Sequence, residues 1–388
     1  MPKIIFGVGE VKRVGEEAKK IGDKALLVTG KTMMRKLGVL DRVMGSLEAS
    51  GVEVVHFDQV EPNPRLPTVE AGAELARREG CQFTIGLGGG SAMDAAKVIA
   101  IGAVIGGSVW DHILKGAVTK FPEKALPVME VPTSAASGSE SDAFAIVTKW
   151  DTHEKMPIIG PCILPRVSIV DPQLTVTVPP RMTAEGAVDI VSHAIDTDIS
   201  GTSPAPLQDR FVDAIVATVI ENTNRAIEDG QDLDARSNLS WCSTVAISDI
   251  PHKGRVGSFP LHWLKHVVSG YFDVSHGGGL AALFPSWMEF TYPARVERFA
   301  LLAERAFGED TRGMSREEAA KKAIEKMREW LQSIGLKMRL RDLGVEEKAI
   351  EQMAKDCIRC YGFGQDSIAD NPRKMYLQDV IDVYRNAF

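Results

Sequence analysis

The first part of the chain alternates short apolar runs with longer segments of helical spacing. Apolar runs at Ala25–Gly30, Val52–Phe57 and residues 81–91 are each followed by a polar or glycine-rich turn, which predicts buried strands. Two further runs, Pro127–Thr133 and Arg166–Pro172, have the same character. Strands that alternate with helices predict an α/β domain with a parallel sheet.

The pattern changes near Val178, where the sequence Val-Pro-Pro interrupts it. Beyond this point apolar residues recur at helical spacing and β-rich runs almost disappear. We therefore predict two domains, an α/β domain over residues 1–178 and a mainly helical domain over residues 179–388.

Composition and charge narrow the range of functions. The 388 residues have a net charge of −7 and no block of Lys and Arg, which disfavours a nucleic-acid partner or an anionic membrane surface. No run of about 18 apolar residues predicts a membrane span, and the N-terminus lacks the features of a secretory signal. Five cysteines, an odd and small number, favour a reducing cytoplasm over a disulfide scaffold.

Two segments rich in small residues are candidates for binding a cofactor. Gly86–Ser91 follows a predicted strand and opens a helix, so its backbone can approach a phosphate at a helix N-terminus. It departs from a strict GxGxxG motif, and a tight turn without a ligand is the alternative. Thr133–Glu140 also follows a predicted strand, and its hydroxyl groups could hydrogen-bond a ribose or nicotinamide. The alternative for this segment is a solvated loop.

Histidines and carboxylates concentrate in the predicted helical domain. Asp189 and His193 lie four residues apart, as do His262 and His266, so each pair shares one helix face. His276 follows just before three glycines. Imidazoles with one carboxylate suit a divalent first-row metal that keeps an open position.

Spacing alone leaves the ligands of this metal open. Glu185 lies on the same predicted face as Asp189 and His193, and His266 competes with His262. Asp196 and Asp198 are expected on a solvated face.

Three motifs together resemble one known family. Gly88–Lys97 (GGGSAMDAAK), Ala187–Asp196 (AVDIVSHAID) and His262–Gly277 (HWLKHVVSGYFDVSHG) are similar to those of iron-containing alcohol dehydrogenases, in particular the butanol dehydrogenase-like branch. The resemblance implies a dinucleotide-binding α/β domain followed by an all-α metal-binding domain, the dehydroquinate synthase-like architecture, in a homodimer.

The resemblance also assigns roles to residues. It places the metal ligands at Asp189, His193, His262 and His276, and at His266 a histidine that lies near the metal site without being a ligand. We predict that His266 is catalytic and relays the alcohol proton to solvent. The cofactor contacts that it implies are Asn63, Gly88, Gly89, Gly90, Ser91, Asp94, Thr133, Ser134, Ser137 and Lys155. The second cofactor loop departs from the family's usual Thr-Thr start and Gly-Thr pair, although hydroxyls remain at Ser134 and Ser137.

The expected activity is interconversion of a small primary alcohol and its aldehyde, with hydride transfer to or from NADP(H) or NAD(H). Iron is expected from the resemblance, and zinc suits the ligands equally well. In this resemblance the residue after the first apolar strand, Gly30, faces the adenosine ribose. Gly30 does not repel a 2′-phosphate and Lys31 and Arg35 are cationic, so we predict a preference for NADP(H), with Asp58 as the competing feature.

Two other classes of function stay open on the sequence. One is a lyase or cyclase of the dehydroquinate synthase type, against which the Asp189–His193 pair argues. The other is a protein that binds a nucleotide or a metal without catalysis. The isolated Cys357–Cys360 pair is expected to be two ordinary helix cysteines.

Overall fold

A computed structural model of the chain describes residues 1–255 and 257–388. The strands are β1 (Lys3–Phe6), β2 (Lys24–Gly30), β3 (Glu53–Val60), β4 (Phe83–Gly88), β5 (Val128–Pro132), β6 (Phe144–Lys149), β7 (Glu154–Ile159) and β8 (Val167–Val170). The α-helices are α1 (Val14–Lys19), α2 (Met33–Lys36), α3 (Val39–Ala49), α4 (Leu66–Arg78), α5 (Gly90–Gly102), α6 (Pro180–Ser200), α7 (Pro206–Glu228), α8 (Leu233–Ala246), α9 (Asp249–His252), α10 (Pro260–Phe272), α11 (His276–Thr291), α12 (Val296–Arg305), α13 (Arg316–Ser333), α14 (Ile350–Tyr361) and α15 (Leu377–Ala387). None of these helices is long and apolar enough to cross a membrane.

The chain divides into two compact units. The first comprises residues 1–178 and 231–244, and the second comprises residues 179–230 and 245–388. The division at Val178 coincides with the predicted one, but the prediction placed residues 231–244 in the helical domain. Helical spacing identifies α8 as a helix without indicating which core it packs on. Residues 233–244 of α8 belong to the first unit, where Ser243 Oγ accepts a hydrogen bond from the Ala136 amide at 3.0 Å.

The first unit is built on a parallel sheet, as the alternating pattern predicts. Its six strands lie in the order β1-β8-β5-β4-β2-β3, and every pair in it is parallel. β4, β5 and β8 are buried along their whole length, which explains why they appear as continuous apolar runs and not as alternating ones. β6 and β7 form a separate antiparallel pair.

The order of the strands defines a switch point in this sheet. From β2 the chain moves outward to β3, then returns to β4 on the other side of β2 and continues through β5 to β8. Parallel α/β sheets bind their ligands beyond the carboxyl ends of the strands that flank such a reversal. These ends are Gly30 on β2 and Gly88 on β4.

The second unit is mainly helical over its described residues. Three of its helices, α6, α10 and α11, pack against one another. α6 is buried almost all around from Thr183 to Ser200, so its polar residues must find partners inside the protein.

Asp196 and Asp198 of α6 are therefore buried, and the prediction of a solvated face is wrong. Asp198 forms ion pairs with Arg255 and Arg298, the latter at 2.6 Å. Asp196 contacts the amide groups at the start of α10. A helix that is buried on both faces has no exposed polar stripe, so its sequence lacks the pattern from which a solvated face is normally predicted.

A buried acid stands in the middle of the parallel sheet. Glu130 of β5 is fully buried and lies in register with Gly86 of β4. A Cβ atom on Gly86 would lie 2.1 Å from Glu130 Oε2, so the glycine makes room for the carboxyl group. Neither carboxyl oxygen has a hydrogen-bond partner among the described residues. Burial raises the pKa of Glu130 well above its usual range, and the nearby Lys97 only partly opposes this.

The contribution of Glu130 to stability falls as the pH rises. Above the pKa of this residue in the unfolded chain, folding must take up a proton on Glu130, so its contribution decreases by about 1.4 kcal/mol per pH unit until the folded pKa is reached. We expect Glu130→Gln to be stabilised relative to the parent at pH 8 and to lose this advantage towards pH 5. Urea unfolding at several pH values measures the difference. The exposed Glu48→Gln is the control, and an equal pH trend in both variants would contradict the expectation.

Candidate functional sites: a histidine–carboxylate cluster and a glycine-rich strand end

Four side chains of the second unit converge on one point. Asp189 and His193 come from α6, His262 from α10, and His276 is the first residue of α11. One donor atom from each lies within 4.8 Å of the others. The side chains of Asp189, His193 and His262 are buried, whereas that of His276 is 27% exposed. The cluster is thus enclosed on three sides and most accessible beside His276.

Close packing of α11 on α6 brings His276 to this point. Gly277 follows His276, and a Cβ atom there would lie 2.1 Å from the carbonyl oxygen of Glu185. Only glycine allows this approach of the two backbones. His276 Nε2 consequently lies 3.1 Å from Asp189 Oδ1. Glu185, the alternative carboxylate on the predicted face, is not a member of the cluster and pairs with Arg181.

The imidazole rings of the cluster are stacked or tilted against one another. His193 and His262 stack with their centroids 4.6 Å apart, and His276 lies 5.4 Å from His262. Phe259, just before α10, packs edge-on against both His193 and His262. This aromatic neighbour shields the buried side of the cluster from water.

The protonation states of the cluster suit a cation. Burial lowers the pKa of His193 to about 3, so its ring is neutral. Burial opposes ionisation of Asp189, but His276 and His193 hold its pKa well below its usual range. His193 Nδ1 is buried and has no hydrogen-bond partner among the described residues, and Asp189 Oδ1 faces His276 Nε2 at 3.1 Å. Burial opposes protonation of His262, but its contacts with the carboxylates of Asp189 and Asp196 raise its pKa, and a bound metal ion would displace a proton from such a ligand. An ionised carboxylate among three imidazoles fits a divalent metal ion.

Asp196 is a further residue of the site, and the sequence did not lead us to it. Its Oδ2 atom lies 2.9 Å from His262 Nδ1 and also accepts a hydrogen bond from the His262 amide at 3.1 Å. A carboxylate on the far ring nitrogen fixes the tautomer and orientation of a metal-binding histidine. A signal for it existed, because Asp189, His193 and Asp196 have the i, i+4, i+7 spacing of one helix face.

His266 lies beside the cluster and not within it. Its ring centroid is 5.9 Å from that of His276 and 6.2 Å from that of His262, and its side chain is buried. Its Nδ1 atom lies 3.2 Å from the hydroxyl of Tyr361 on α14. The position agrees with the expected role near the metal ligands but does not test it.

The glycine-rich turn of the first unit joins β4 to the N-terminus of α5. Gly88 ends β4 with φ of 152°, and α5 begins at Gly90. A Cβ atom on Gly90 would lie 2.6 Å from Ser137 Oγ, and one on Gly89 would lie 3.1 Å from Ser134 Oγ. The two segments predicted to bind the cofactor therefore pack directly on each other, which explains the need for glycine in the turn.

The other predicted cofactor residues of the first unit form two hydrogen-bonded groups. The buried Lys155 donates to Asn63 Oδ1 at 2.6 Å, and Asn63 has a left-handed backbone with φ of 54°. Asp94 accepts hydrogen bonds from Ser139 Oγ at 2.7 Å and from the Ile146 amide at 3.1 Å. These contacts fix Asn63 and Lys155 to each other and hold Asp94, on α5, against Ser139 and Ile146.

Three remaining residues lie at the ends of strands. Thr133 follows β5 and its amide donates to the Gly88 carbonyl at 2.9 Å. Gly30 ends β2 at the switch point, with Lys31 exposed beside it. Gly30, Gly88 and Thr133 thus share the carboxyl edge of the sheet, where a dinucleotide is expected.

Comparison with known families agrees with this arrangement. The model of the family "Iron-containing alcohol dehydrogenase" matches residues 2–172. The model "Fe-containing alcohol dehydrogenase family, C-terminal" matches residues 183–388. The lyase alternative loses its support, because both matches are to alcohol dehydrogenases.

Similar proteins span almost the whole chain. NADH-dependent butanol dehydrogenase B of Clostridium acetobutylicum is 36% identical over 99% of this chain and 97% of its own length. The 1,3-propanediol dehydrogenase of Citrobacter freundii is 32% identical over 99% of this chain and 96% of its own. The crystal structure of NADH-dependent butanol dehydrogenase A from Thermotoga maritima superposes with a TM-score of 0.93, at 33% identity, over 100% of this chain and 96% of its own. The names of the two butanol dehydrogenases do not support the predicted preference for NADP(H).

Proposed function

The chain belongs to the iron-containing alcohol dehydrogenase family, and from this premise we propose that it interconverts a small primary alcohol and its aldehyde at the cluster of Asp189, His193, His262 and His276. The observation that carries the proposal is the convergence of these four donors within 4.8 Å. Relatives that differ in their named substrates, butanol and 1,3-propanediol, leave the particular alcohol to experiment.

We assign the four residues of the cluster to one divalent metal ion, with iron preferred from the family and zinc equally suited to the donors. A bound metal supplies Lewis acidity that lowers the pKa of the alcohol hydroxyl. Asp189 contributes the single negative charge and the three imidazoles contribute neutral nitrogen donors. Asp196 holds His262 in the orientation that directs Nε2 to the cluster.

His266 is assigned to proton transfer. It lies beside His262 and His276 without belonging to the cluster, and an imidazole is suited to pass the alcohol proton towards solvent at neutral pH. Its expected signature is a variant, His266→Ala, that keeps the metal and loses turnover.

The nicotinamide cofactor is assigned to the carboxyl edge of the parallel sheet. The N-terminus of α5, a helix of 13 residues, presents amide groups for the pyrophosphate, and Gly88–Ser91 lets the backbone approach it. A bound nicotinamide would supply the hydride chemistry itself. Ser134 and Ser137, packed on the turn, supply hydroxyls close to it.

We further propose that NADP(H) is used in preference to NAD(H). Gly30 ends β2 without a side chain, and the exposed Lys31 and Arg35 follow it. These two cations suit a 2′-phosphate. The feature that would favour NAD(H) instead is Asp58, a half-buried acid of the neighbouring strand β3. The proposal rests on these charges alone.

Steady-state kinetics of the parent and of Gly30→Asp with both cofactors test this preference. In the parent we expect kcat/KM to be higher with NADP(H) than with NAD(H). The carboxylate of Gly30→Asp should lower kcat/KM with NADP(H) relative to that with NAD(H) by about tenfold or more, because it repels the 2′-phosphate. A Cβ atom at Gly30 would meet only the Val60 carbonyl at 3.6 Å, so the fold tolerates the substitution. Gly30→Asn is the uncharged control. A higher kcat/KM with NAD(H) in the parent would overturn the preference.

A screen of alcohols and aldehydes with both cofactors, after addition of iron, zinc or other divalent metals, tests the overall function. Metal-dependent reduction of cofactor by a primary alcohol is the expected result. Cofactor binding without turnover on any substrate would instead favour the non-catalytic alternative.

A further inference from the structure

Tyr361 contacts His266, the histidine that lies beside the four-donor cluster. The tyrosine hydroxyl lies 3.2 Å from His266 Nδ1, and both side chains are buried. Tyr361 is the last residue of α14, 95 positions further along the chain than His266 on α10. The contact is therefore made by tertiary packing and not by local sequence.

Packing fixes Tyr361 in place. Its ring stacks on Trp263 with centroids 4.8 Å apart and the planes 7° from parallel. Trp263 lies one turn before His266 on α10, and its indole Nε1 donates to Ser258 Oγ at 3.2 Å. A buried, stacked phenol has little freedom to rotate away, so its hydroxyl is a fixed point for the imidazole.

We propose that Tyr361 is a positioning residue that holds His266 in one ring orientation and one tautomer. A neutral imidazole has one donor and one acceptor nitrogen. In this proposal Nδ1–H of His266 donates to the tyrosine hydroxyl across the 3.2 Å contact, so Nε2 is the acceptor nitrogen and exchanges the alcohol proton. The inference rests on the proposed function in one respect, because that function is what makes His266 transfer the alcohol proton.

The competing hypothesis is that Tyr361 merely fills the core between α10 and α14. Tyr361→Phe separates the two, because it keeps the ring and its stacking on Trp263 and removes only the hydroxyl. Tyr384→Phe is a matched control. Tyr384 is also fully buried, and its hydroxyl donates at 2.8 Å to the Leu264 carbonyl on the same helix α10.

The first measurement is the tautomer of His266. Full-length protein with ¹⁵N-labelled histidine is loaded with zinc, which is diamagnetic, and its imidazole nitrogen shifts are recorded, with His266→Gln identifying the signal. The parent and Tyr384→Phe should each show a single neutral tautomer for His266. Tyr361→Phe should show shifts averaged between the two tautomers, with zinc content unchanged.

The second measurement is the split between kcat and KM for the preferred alcohol. Tyr361→Phe should lower kcat by about tenfold with KM unchanged. This is less than the roughly 100- to 10,000-fold that general acid–base assistance contributes as a whole, because His266 itself is retained. Tyr384→Phe should leave kcat within about twofold of the parent. If Tyr361→Phe keeps a single tautomer and behaves like Tyr384→Phe, the positioning role is refuted. If the tautomer changes but no variant or parent turns over an alcohol, the proposed function fails and the positioning role stands.

Discussion

Replacing His193 with alanine is expected to remove the metal and the activity together. His193 supplies a buried neutral nitrogen to the cluster, and its partner Asp189 is buried on the same helix. Loss of this donor leaves three, one of which, His276, is partly exposed. Because Lewis acidity supplies several kcal/mol of the stabilisation needed for hydride transfer, turnover should fall at least about a thousandfold.

Metal content by elemental analysis and turnover of the same preparation check this expectation. His252→Ala is the control, since His252 is a half-buried histidine of the same unit whose Nδ1 lies 2.6 Å from Thr197 Oγ1 and not at the cluster. The control should lower stability and keep the metal. A His193→Ala protein that retains one metal per chain and normal turnover would show that the cluster is not the metal site.

The second large effect is expected at Asp196, which touches no predicted substrate or cofactor. Its carboxylate accepts from His262 Nδ1 and from the amides of Leu261 and His262. Burial raises the pKa of Asp196, and these hydrogen bonds oppose the rise. Asp196→Asn keeps the size of the side chain but removes the charge that makes His262 a stronger donor, so metal affinity should fall about 10- to 100-fold.

Competition with a chelator of known affinity measures this loss. Asp198→Asn is the matched control, because Asp198 is equally buried on the same helix but pairs with Arg255 and Arg298 instead of a cluster histidine. Removing the Asp198 charge should lower the free energy of unfolding and leave the metal affinity nearly unchanged. Equal effects of the two substitutions on metal affinity would mean that Asp196 acts only through stability.

The fold class was predictable from the sequence because the parallel sheet is buried on both faces. Continuous apolar runs at β2, β4 and β5, separated by helical segments, are typical of such a sheet, and the predicted family and fold class are confirmed. The placement of residues 231–244 could not be predicted. Periodicity indicates the helix α8, but only tertiary contacts, such as Thr244 Oγ1 donating to Glu140 Oε1 at 2.7 Å, assign it to the first unit.

The candidate site was predictable where its residues are close in sequence or belong to a known motif. The pair Asp189–His193 follows from helical spacing, and the resemblance chose His262 and His276 over His266. The contacts that orient these residues were not predictable. Asp196 and His262 are 66 positions apart in the sequence, and Tyr361 and His266 are 95 apart. No local sequence pattern indicates which helices pack together.

The central claim is that this cluster makes the protein a metal-dependent alcohol dehydrogenase. Its most direct test is 1-butanol oxidation by protein stripped of metal with a chelator and then titrated with Fe²⁺ or Zn²⁺ under anaerobic conditions. We expect no turnover in the stripped protein and activity that rises linearly to one metal per chain. Full turnover in the stripped protein, with no gain on adding metal, would contradict the claim.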